Sequence, residues 1–554
     1  MVQASEERDD LSGPDLDARA TTVRNAAVMS GGTLLSRATG IVRVSVTLAA
    51  IGTSNVVSDS YFKANTTPNI VYELVLGGIL TSVFVPLLVD WAKRYGLEAG
   101  REAGSRFLTL VLVVLSATTV VAMVAAPWIM RLYLLGETDP ATHAAQLETG
   151  TFFLRWFLPQ IVFYGLGAVA AGILTANRRF AAQMYAPILN NVAVIATMLV
   201  FISMRGGAQT DLSDVTQAQR LVLAAGTTLG VVAMTVALWP SLRAIGFRWR
   251  LRFDWRHETV RRLLGLARWV ALYVIANQIA YFFIIVFNGH VGVGSYPIYS
   301  QAFIFFSLPH AIVAVSIFTA LLPGMSERWS TGAVDSVRVL FSRGIRDTEI
   351  VMIPAAVGLM VLAGPIVVVL ASYGAMARSD TVLLGSTLAA FAVGLPWFSA
   401  FQLLTRTFYA TQDARTPALA NIAVCVVNLV FDVWLAFGLG LGVQGLALGF
   451  AASYVAGTVI LAARLRARLG GLDAQRIGTT IAKTVGASAL TAVAAWGASQ
   501  GVAAILDVSR PGPSLIQLCA GVVAGVLAFA LGALIFRIEE ADEVWRALAT
   551  RFRR

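Results

Sequence analysis

The chain has 554 residues, 57% of them hydrophobic and only 13% charged, with a mean hydropathy of +0.73. A soluble protein of this size needs more charge to cover its surface, so composition excludes a soluble enzyme and indicates a polytopic membrane protein. The net charge of +11 would suit nucleic acid, but the basic residues sort by topology instead, and no nucleic-acid partner is expected.

Residues 1–24 are polar and acid-rich at their start and lack an apolar core, so they are expected to be a disordered cytoplasmic tail rather than a signal peptide. A membrane span needs about 20 mostly apolar residues. Fourteen segments meet that: 25–51, 60–89, 107–130, 148–175, 182–203, 219–242, 263–288, 296–323, 348–372, 381–405, 416–438, 443–463, 477–503 and 514–536. With the N-terminus inside, the inner segments hold 31 basic residues and the outer loops hold four, Arg131, Arg205, Arg378 and Arg510. The positive-inside rule then puts both termini in the cytoplasm. The longest connection, 243–262, is strongly basic, and part of it reads as an amphipathic helix on an anionic membrane face.

The sequence also repeats. Leu174–Phe201 aligns without a gap on Leu404–Phe431 at an offset of 230, with Pro187/Pro417, Asn191/Asn421 and Phe201/Phe431 among the identities. Thr81 and Pro86 are echoed more weakly by Thr319 and Pro323. The expected fold is all-α, with about 14 transmembrane helices. Two pseudo-symmetric six-helix bundles, 25–242 and 263–463, flank the loop 243–262. Helices 13 and 14 (464–537) are appended, and a cytoplasmic tail (538–554) follows. Parallel repeats about an axis along the membrane normal suit alternating access by rocking.

Charges inside spans are costly and mark function by default. Arg37 and Arg43 lie in the first span, six residues and some 120° apart, with Gly40 between them; forked guanidinium donors suit phosphate and pyrophosphate. Asp59 and Lys63 share a face of the second span, which leaves two readings open, a local ion pair or a role towards substrate. Pro68 and Asn69 follow in the same span, where a proline frees backbone carbonyls. Arg37, Arg43, Lys63, Asp59 and Asn69 form the candidate substrate-binding set. In span 11, Asn421, Cys425, Asn428 and Asp432 lie on one face, against Asn191, Ile195, Met198 and Ile202 in the first half. Asn428 and Asp432 could hold a cation such as sodium, take up a coupling proton, or make a helix–helix hydrogen bond. The two cysteines lie within spans, and the four histidines lack ligand spacing, so neither a disulfide framework nor a metal centre is expected. No Walker loop, acidic metal motif or nucleophile elbow occurs, so the chain is not expected to be an enzyme.

SRATGIVR at Ser36–Arg43, then DSYFK at Asp59–Lys63, PN at Pro68–Asn69 and FVP ending at Pro86, resembles the N-terminal signature of the MurJ (MviN) family. These are lipid II flippases of the multidrug/oligosaccharidyl-lipid/polysaccharide exporter superfamily. FYATQDARTP at Phe408–Pro417 is similar to a second, looser motif, and the region around Asn65–Pro86 looks like the actinobacterial branch, where longer relatives continue into a cytoplasmic kinase-like domain. The resemblance implies a bacterial plasma-membrane protein that carries undecaprenyl-pyrophosphate-linked peptidoglycan precursor from the inner to the outer leaflet. It implies drive from the membrane potential or a cation, with no cofactor beyond Na+ as coupling ion. The implied partners are lipid II, the bilayer, and cell-wall synthesis or division proteins. It matches Arg37 and Arg43 to cavity arginines, Asp59 to a span-2 aspartate, and Asn428 and Asp432 to part of a sodium site.

The chain also departs from the family pattern. Tyr72 and Ile304 stand where members carry arginine, Gly77 where they carry glutamate, and Ile284 where a carboxylate completes the cation site. The expected cavity is therefore less basic, with a larger share for Lys63, and the sodium site is weaker. The alternative is a cation-coupled multidrug or polysaccharide-lipid exporter on the same fold, which would favour acidic cavity residues. A scaffold that recruits cell-wall enzymes through its basic loops is a third reading, and would leave Arg43 without a role.

Overall fold

In a bilayer every backbone N–H and C=O must be satisfied within its own segment, which a run of apolar residues achieves as an α-helix. A computed structural model describes residues 13–77, 97–177, 179–207, 212–251 and 268–541, and every regular element among them is helical. The first half contains α1 (Gly13–Ile51), α2 (Val56–Tyr72), α3 (Leu97–Tyr133), α4 (Pro140–Phe157), α5 (Gln160–Ala176), α6 (Ala181–Met204), α7 (Gln217–Val236) and α8 (Trp239–Ala244). The second contains α9 (Arg268–Val291), α10 (Ser295–Pro309), α11 (Val315–Ser330), α12 (Val334–Ala371), α13 (Arg378–Ala392), α14 (Leu395–Ala410), α15 (Arg415–Asp432) and α16 (Gly442–Leu469). α17 (Ala474–Ala503) and α18 (Pro511–Ile535) follow.

Among the described residues, twelve helices or continuous helix pairs are long and apolar enough to cross a membrane, and α13–α14, bent by 47°, makes a thirteenth. The remaining expected span, 60–89, coincides with α2 and is described only as far as Gly77. Thr81, Pro86 and most of the basic loop 243–262 lie outside the described residues. One expectation is corrected: helix α1 begins at Gly13, so 13–24 are helical where a disordered tail was expected. From Asp15 to Ser30 the segment has no glycine or proline and is rich in alanine, so helix propagates through it.

The two halves repeat the same packing. α1 packs on α6 as α9 packs on α15, and α2 on α4 as α10 on α13. α3 packs on α5 as α12 does on α14, and α6 on α7 as α15 does on α16. The repeat asparagines explain part of this. Asn191 Nδ2 on α6 donates to the Ser36 carbonyl at 3.1 Å and to Thr39 Oγ1 at 3.0 Å on α1. Asn421 Nδ2 on α15 donates to the Tyr273 carbonyl on α9 at 3.5 Å. In each half an amide thus ties the fifth span to the first. Gly32 lets α1 meet α6 closely, since a Cβ there would come within 2.9 Å of the Tyr185 ring. α17 and α18 pack together and against α12. There Arg346 pairs with Glu540, Ser342 Oγ donates to Asp473 Oδ2 at 2.8 Å, and Lys483 Nζ donates to the Arg537 carbonyl at 3.0 Å.

Three helices widen into π-helical turns, at Glu73–Gly77 beyond α2, His310–Ala314 between α10 and α11, and Val433–Gly438 beyond α15. The second follows Pro309 directly, where the missing N–H breaks the regular ladder. The end of the molecule carrying Gly13 and Ile535 is called the tail face, and the opposite end, with the α1–α2 connection, the turn face. Hydrogen bonds joining the halves gather at the turn face. Asp380 at the start of α13 accepts from Thr53 Oγ1 at 2.6 Å and from Ser54 Oγ at 2.7 Å, and the Ala375 N–H donates to the Ala49 carbonyl at 2.8 Å. Deeper in, Tyr296 Oη donates to Thr66 Oγ1 at 2.8 Å.

Candidate functional site

Between the halves lies a cavity of about 200 Å³ with walls from α1, α2, α5, α6 and α7 on one side and α9 and α10 on the other. Arg43, half-buried, is its single charged lining side chain among the described residues, and no carboxylate lines it. Amides and hydroxyls surround the guanidinium: Asn65 and Thr66 from α2, Tyr164 from α5, Asn190 from α6, and Ser300 and Gln301 from α10. The Asn190 Oδ1 atom is buried without a partner. The wall is rigid beside Arg43, because Tyr61 is fixed by Thr227 Oγ1 at 2.8 Å and stands edge-on to Phe153 and Phe157, themselves stacked at 5.7 Å.

The other expected substrate residues are not brought to this cavity. Arg37 is exposed and not among its lining residues. Asn69 is exposed one turn further along α2 and is not among the lining residues; Asn65 takes the cavity position instead. Asp59 and Lys63 form a buried ion pair at 2.5 Å, each side chain 1% exposed. Asp59 also accepts from Gln146 Nε2 at 2.8 Å and from the Gly294 N–H at 3.3 Å, so it joins the first half to the second near the turn face. Of the two readings left open for this pair, the geometry is that of the ion pair, and the larger share expected for Lys63 in the cavity has no counterpart here. Asn65, Asn190 and Gln301 were not singled out from the sequence. The one available signal was that Asn190 adjoins the repeat asparagine Asn191. Ile304, named above as a departure from the family pattern, lines the cavity and adds no charge to it.

A second cavity of about 170 Å³ lies within the second half, lined by Asn277, Ile284, Tyr299, Asn428, Tyr454 and others. Tyr281 and Phe303 line both cavities and form the partition between them. On α15, Asn428 Nδ2 donates to Asp432 Oδ1 at 3.0 Å, while Asp432, fully buried, keeps Oδ2 without a partner. The carboxylate fits because residue 449 on α16 is glycine; a Cβ there would overlap Asp432 Oδ1. A hard cation is held by several converging oxygens. Here one carboxylate faces an amide that points its N–H at it, Ile284 offers no oxygen, and no cluster of three acidic, histidine or cysteine side chains occurs among the described residues. This donor set does not fit the sodium site that the resemblance implied. Asn421, placed on the same helical face from its spacing, is a helix tether.

The second motif has a structural basis. Gln412 takes a left-handed conformation, φ +58, and Asp413 Oδ1 accepts from the Arg415 and Thr416 N–H groups at 3.0 Å, capping α15. Arg468 reaches Asp413 at 3.4 Å and lies 5.0 Å over the Trp329 ring. Partial burial works to raise the Asp413 carboxyl, but the bonds from Thr416 and the Arg468 charge more than offset it and hold it below the usual range.

Fold and site together define a membrane transporter of two pseudo-symmetric bundles enclosing a cavity whose charge, among the described residues, is a single arginine. Residues 48–538 match the family model described as lipid II flippase MurJ, and the chain belongs to that family. It is 27% identical over 415 residues to the probable lipid II flippase MurJ of Haemophilus influenzae, covering 72% of this chain and 78% of that one. To the lipid II flippase MurJ of Burkholderia cenocepacia it is 26% identical over 409 residues, covering 73% and 76%. Among solved structures, a lipid II flippase MurJ in an inward closed conformation superposes with a TM-score of 0.72 at 20% identity, over 92% of this chain and 99% of that one. An inward-facing multidrug-resistance MATE transporter of the MOP superfamily superposes with 0.65 at 15% identity, over 80% and 95%.

Proposed function

We propose that this chain moves lipid II from the inner to the outer leaflet of a bacterial plasma membrane by alternating access, with the tail face in the cytoplasm. The observation that carries this is Arg43, a forked cation in a cavity between two bundles, ringed by neutral hydrogen-bonding groups and, among the described residues, free of carboxylates. Such a lining suits a pyrophosphate joined to a sugar and peptide, because the guanidinium takes the phosphate oxygens and the amides take hydroxyls and carbonyls. The same lining opposes a cationic drug as cargo. The chain's family and the 31-to-4 distribution of basic residues support substrate and orientation.

In this proposal the bonds of Asp380 and Asp59 close the outer side, so the state described belongs to the inward half of the cycle. Drive comes from the membrane potential acting on the cavity charge, or from a cation sensed at Asp432; the donor set there speaks against sodium. The test is complementation of a strain depleted of its own lipid II flippase, with membrane levels of each variant checked by blot. Rescue by the wild type and failure of Arg43→Ala are expected. Full rescue by Arg43→Ala at normal expression sinks the reading, and Asp432→Ala shows whether drive passes through α15.

A further inference from the structure

On the outer flank of the first half, away from the central cavity, two adjoining hollows are built by one short run of chain. After α8 the backbone runs along α3 and is pinned to it at several points. Arg101 Nη2 donates to the Ile245 carbonyl at 2.8 Å. Ser105 Oγ donates to the Arg250 carbonyl and accepts from the Arg250 N–H, both at 2.8 Å. Trp249 Nε1 donates to Thr109 Oγ1 at 3.1 Å, and Phe247 is buried. A backbone held this firmly presents Arg248 and Arg250 to the same hollow as Arg101, about 200 Å³ in volume, with Ser105, Glu98 and Glu102 completing it. Glu102 is engaged by Arg106 at 3.0 Å, so the guanidiniums prevail.

The second hollow, about 280 Å³, begins one turn along α3 from Ser105 and is apolar, lined by Leu108, Phe163, Leu166, Val236, Trp239 and Trp249 among others. Trp239 and Trp249 meet edge to face, 5.8 Å apart, and Trp249 lies between Arg248 and Arg250 in sequence. Both α3 and the α7–α8 pair are membrane-spanning by length and composition, so the apolar hollow is at membrane depth and the arginines are at its margin. Tryptophan belts and basic residues at such a margin are the chemistry of a lipid headgroup boundary.

We propose that this pair of hollows binds one anionic phospholipid, with its phosphate against Arg101, Arg248 and Arg250 and an acyl chain in the groove of Leu108, Phe163 and Leu166. The assignment of that lipid to the inner leaflet rests on the orientation proposed above; the site itself does not. None of its residues lines the Arg43 cavity.

The test is native mass spectrometry of the purified full chain offered equal amounts of phosphatidylglycerol and phosphatidylcholine. The variants are Arg248→Gln/Arg250→Gln, with Arg464→Gln/Arg466→Gln, an exposed pair at the tail face, as the charge control. Wild type and control are expected to retain phosphatidylglycerol preferentially. The site variant is expected to lose that preference by roughly tenfold, since each basic residue at a membrane surface adds to anionic-lipid attraction. Leu166→Trp, which fills the groove and leaves the arginines, is expected to lower retention too, and folding of each variant is checked by gel filtration. Undiminished phosphatidylglycerol binding by both site variants, or equal retention of phosphatidylcholine by the wild type, overturns the proposal. So does competition by glycerophosphoglycerol, the headgroup without chains, as effective as that by the whole lipid. A protein that passes this test but moves no lipid II keeps this inference and loses the previous one.

Discussion

Thr53 Oγ1 donates to Asp380 Oδ2 at 2.6 Å, bonding residues 327 positions apart in the chain and in opposite halves. Ser54 adds its hydroxyl and N–H to the same carboxylate. A hydrogen bond to a charged group is worth about 1.5–3 kcal/mol. Asp380→Ala should therefore weaken closure at the turn face by about 2 kcal/mol, roughly a thirtyfold shift in population. Labelling of Thr47→Cys, a cavity position, by a membrane-impermeant maleimide added from outside should be faster in the Asp380→Ala background, with the native cysteines replaced. An unchanged labelling rate would show that other contacts hold the face shut.

Arg43 is the sole charge lining its cavity among the described residues, so Arg43→Ala should cost about 2 kcal/mol of lipid II binding, roughly thirtyfold in affinity. Arg43→Lys keeps the charge without the fork and should fall between the two. Asn65→Ala should weaken binding and Asn69→Ala should not, because only the former lines the cavity. Ligand-dependent thermal shift of the purified proteins compares all four, and an equal effect of the two asparagines would contradict the cavity lining described here.

Gly449 leaves room for the Asp432 carboxylate. A Cβ there would overlap Oδ1 and lie 3.0 Å from the Asp432 nitrogen, so Gly449→Ala must push α15 from α16. Overpacking of this kind costs about 1–3 kcal/mol. Thermal unfolding should show a lowered Tm, and Gly449→Ala combined with Asp432→Ala, which removes the carboxylate, should recover part of it.

Asp413 is held below the usual carboxyl range, so its cap on α15 adds stability at neutral pH. That contribution is lost as pH falls through its lowered folded value. Asp413→Asn should be less stable than wild type at pH 7, and the gap in Tm should narrow in acid, below about pH 3.9. A gap that stays constant with pH would mean the charge has no part in the cap.

Much of the layout was legible because membranes impose it: long apolar runs must be helical, and basic residues mark one face. Arg43 was legible because a charge at membrane depth is costly. Lys63 and Asp59 are buried more deeply than Arg43, but their four-residue spacing fits a self-contained pair as well as a binding site, and only the packing around Gln146 and Gly294 separates the two. Asn65, Asn190 and Gln301 went unnoticed because a neutral amide in a span carries little cost and so little signal. Asn69 was singled out beside Pro68, yet it is Asn65, one turn earlier, that reaches the cavity. The bond from Thr53 to Asp380 joins two connections between spans, and nothing local in either connection encodes the other.

Tyr281 and Phe303 form one partition between two small chambers, and Tyr281 is hydrogen-bonded at 3.3 Å to Tyr296, which in turn holds Thr66 on α2. A tilt of those rings that enlarges the chamber around Arg43 takes volume from the one beside Asn428. Cargo and drive would then act like weights on a seesaw: whatever swells one side presses on the other without touching it. Because such linkage is reciprocal, a neutral change in the bulk of residue 281 or 303 would reset the exchange ratio between the chambers while leaving every charged group in place.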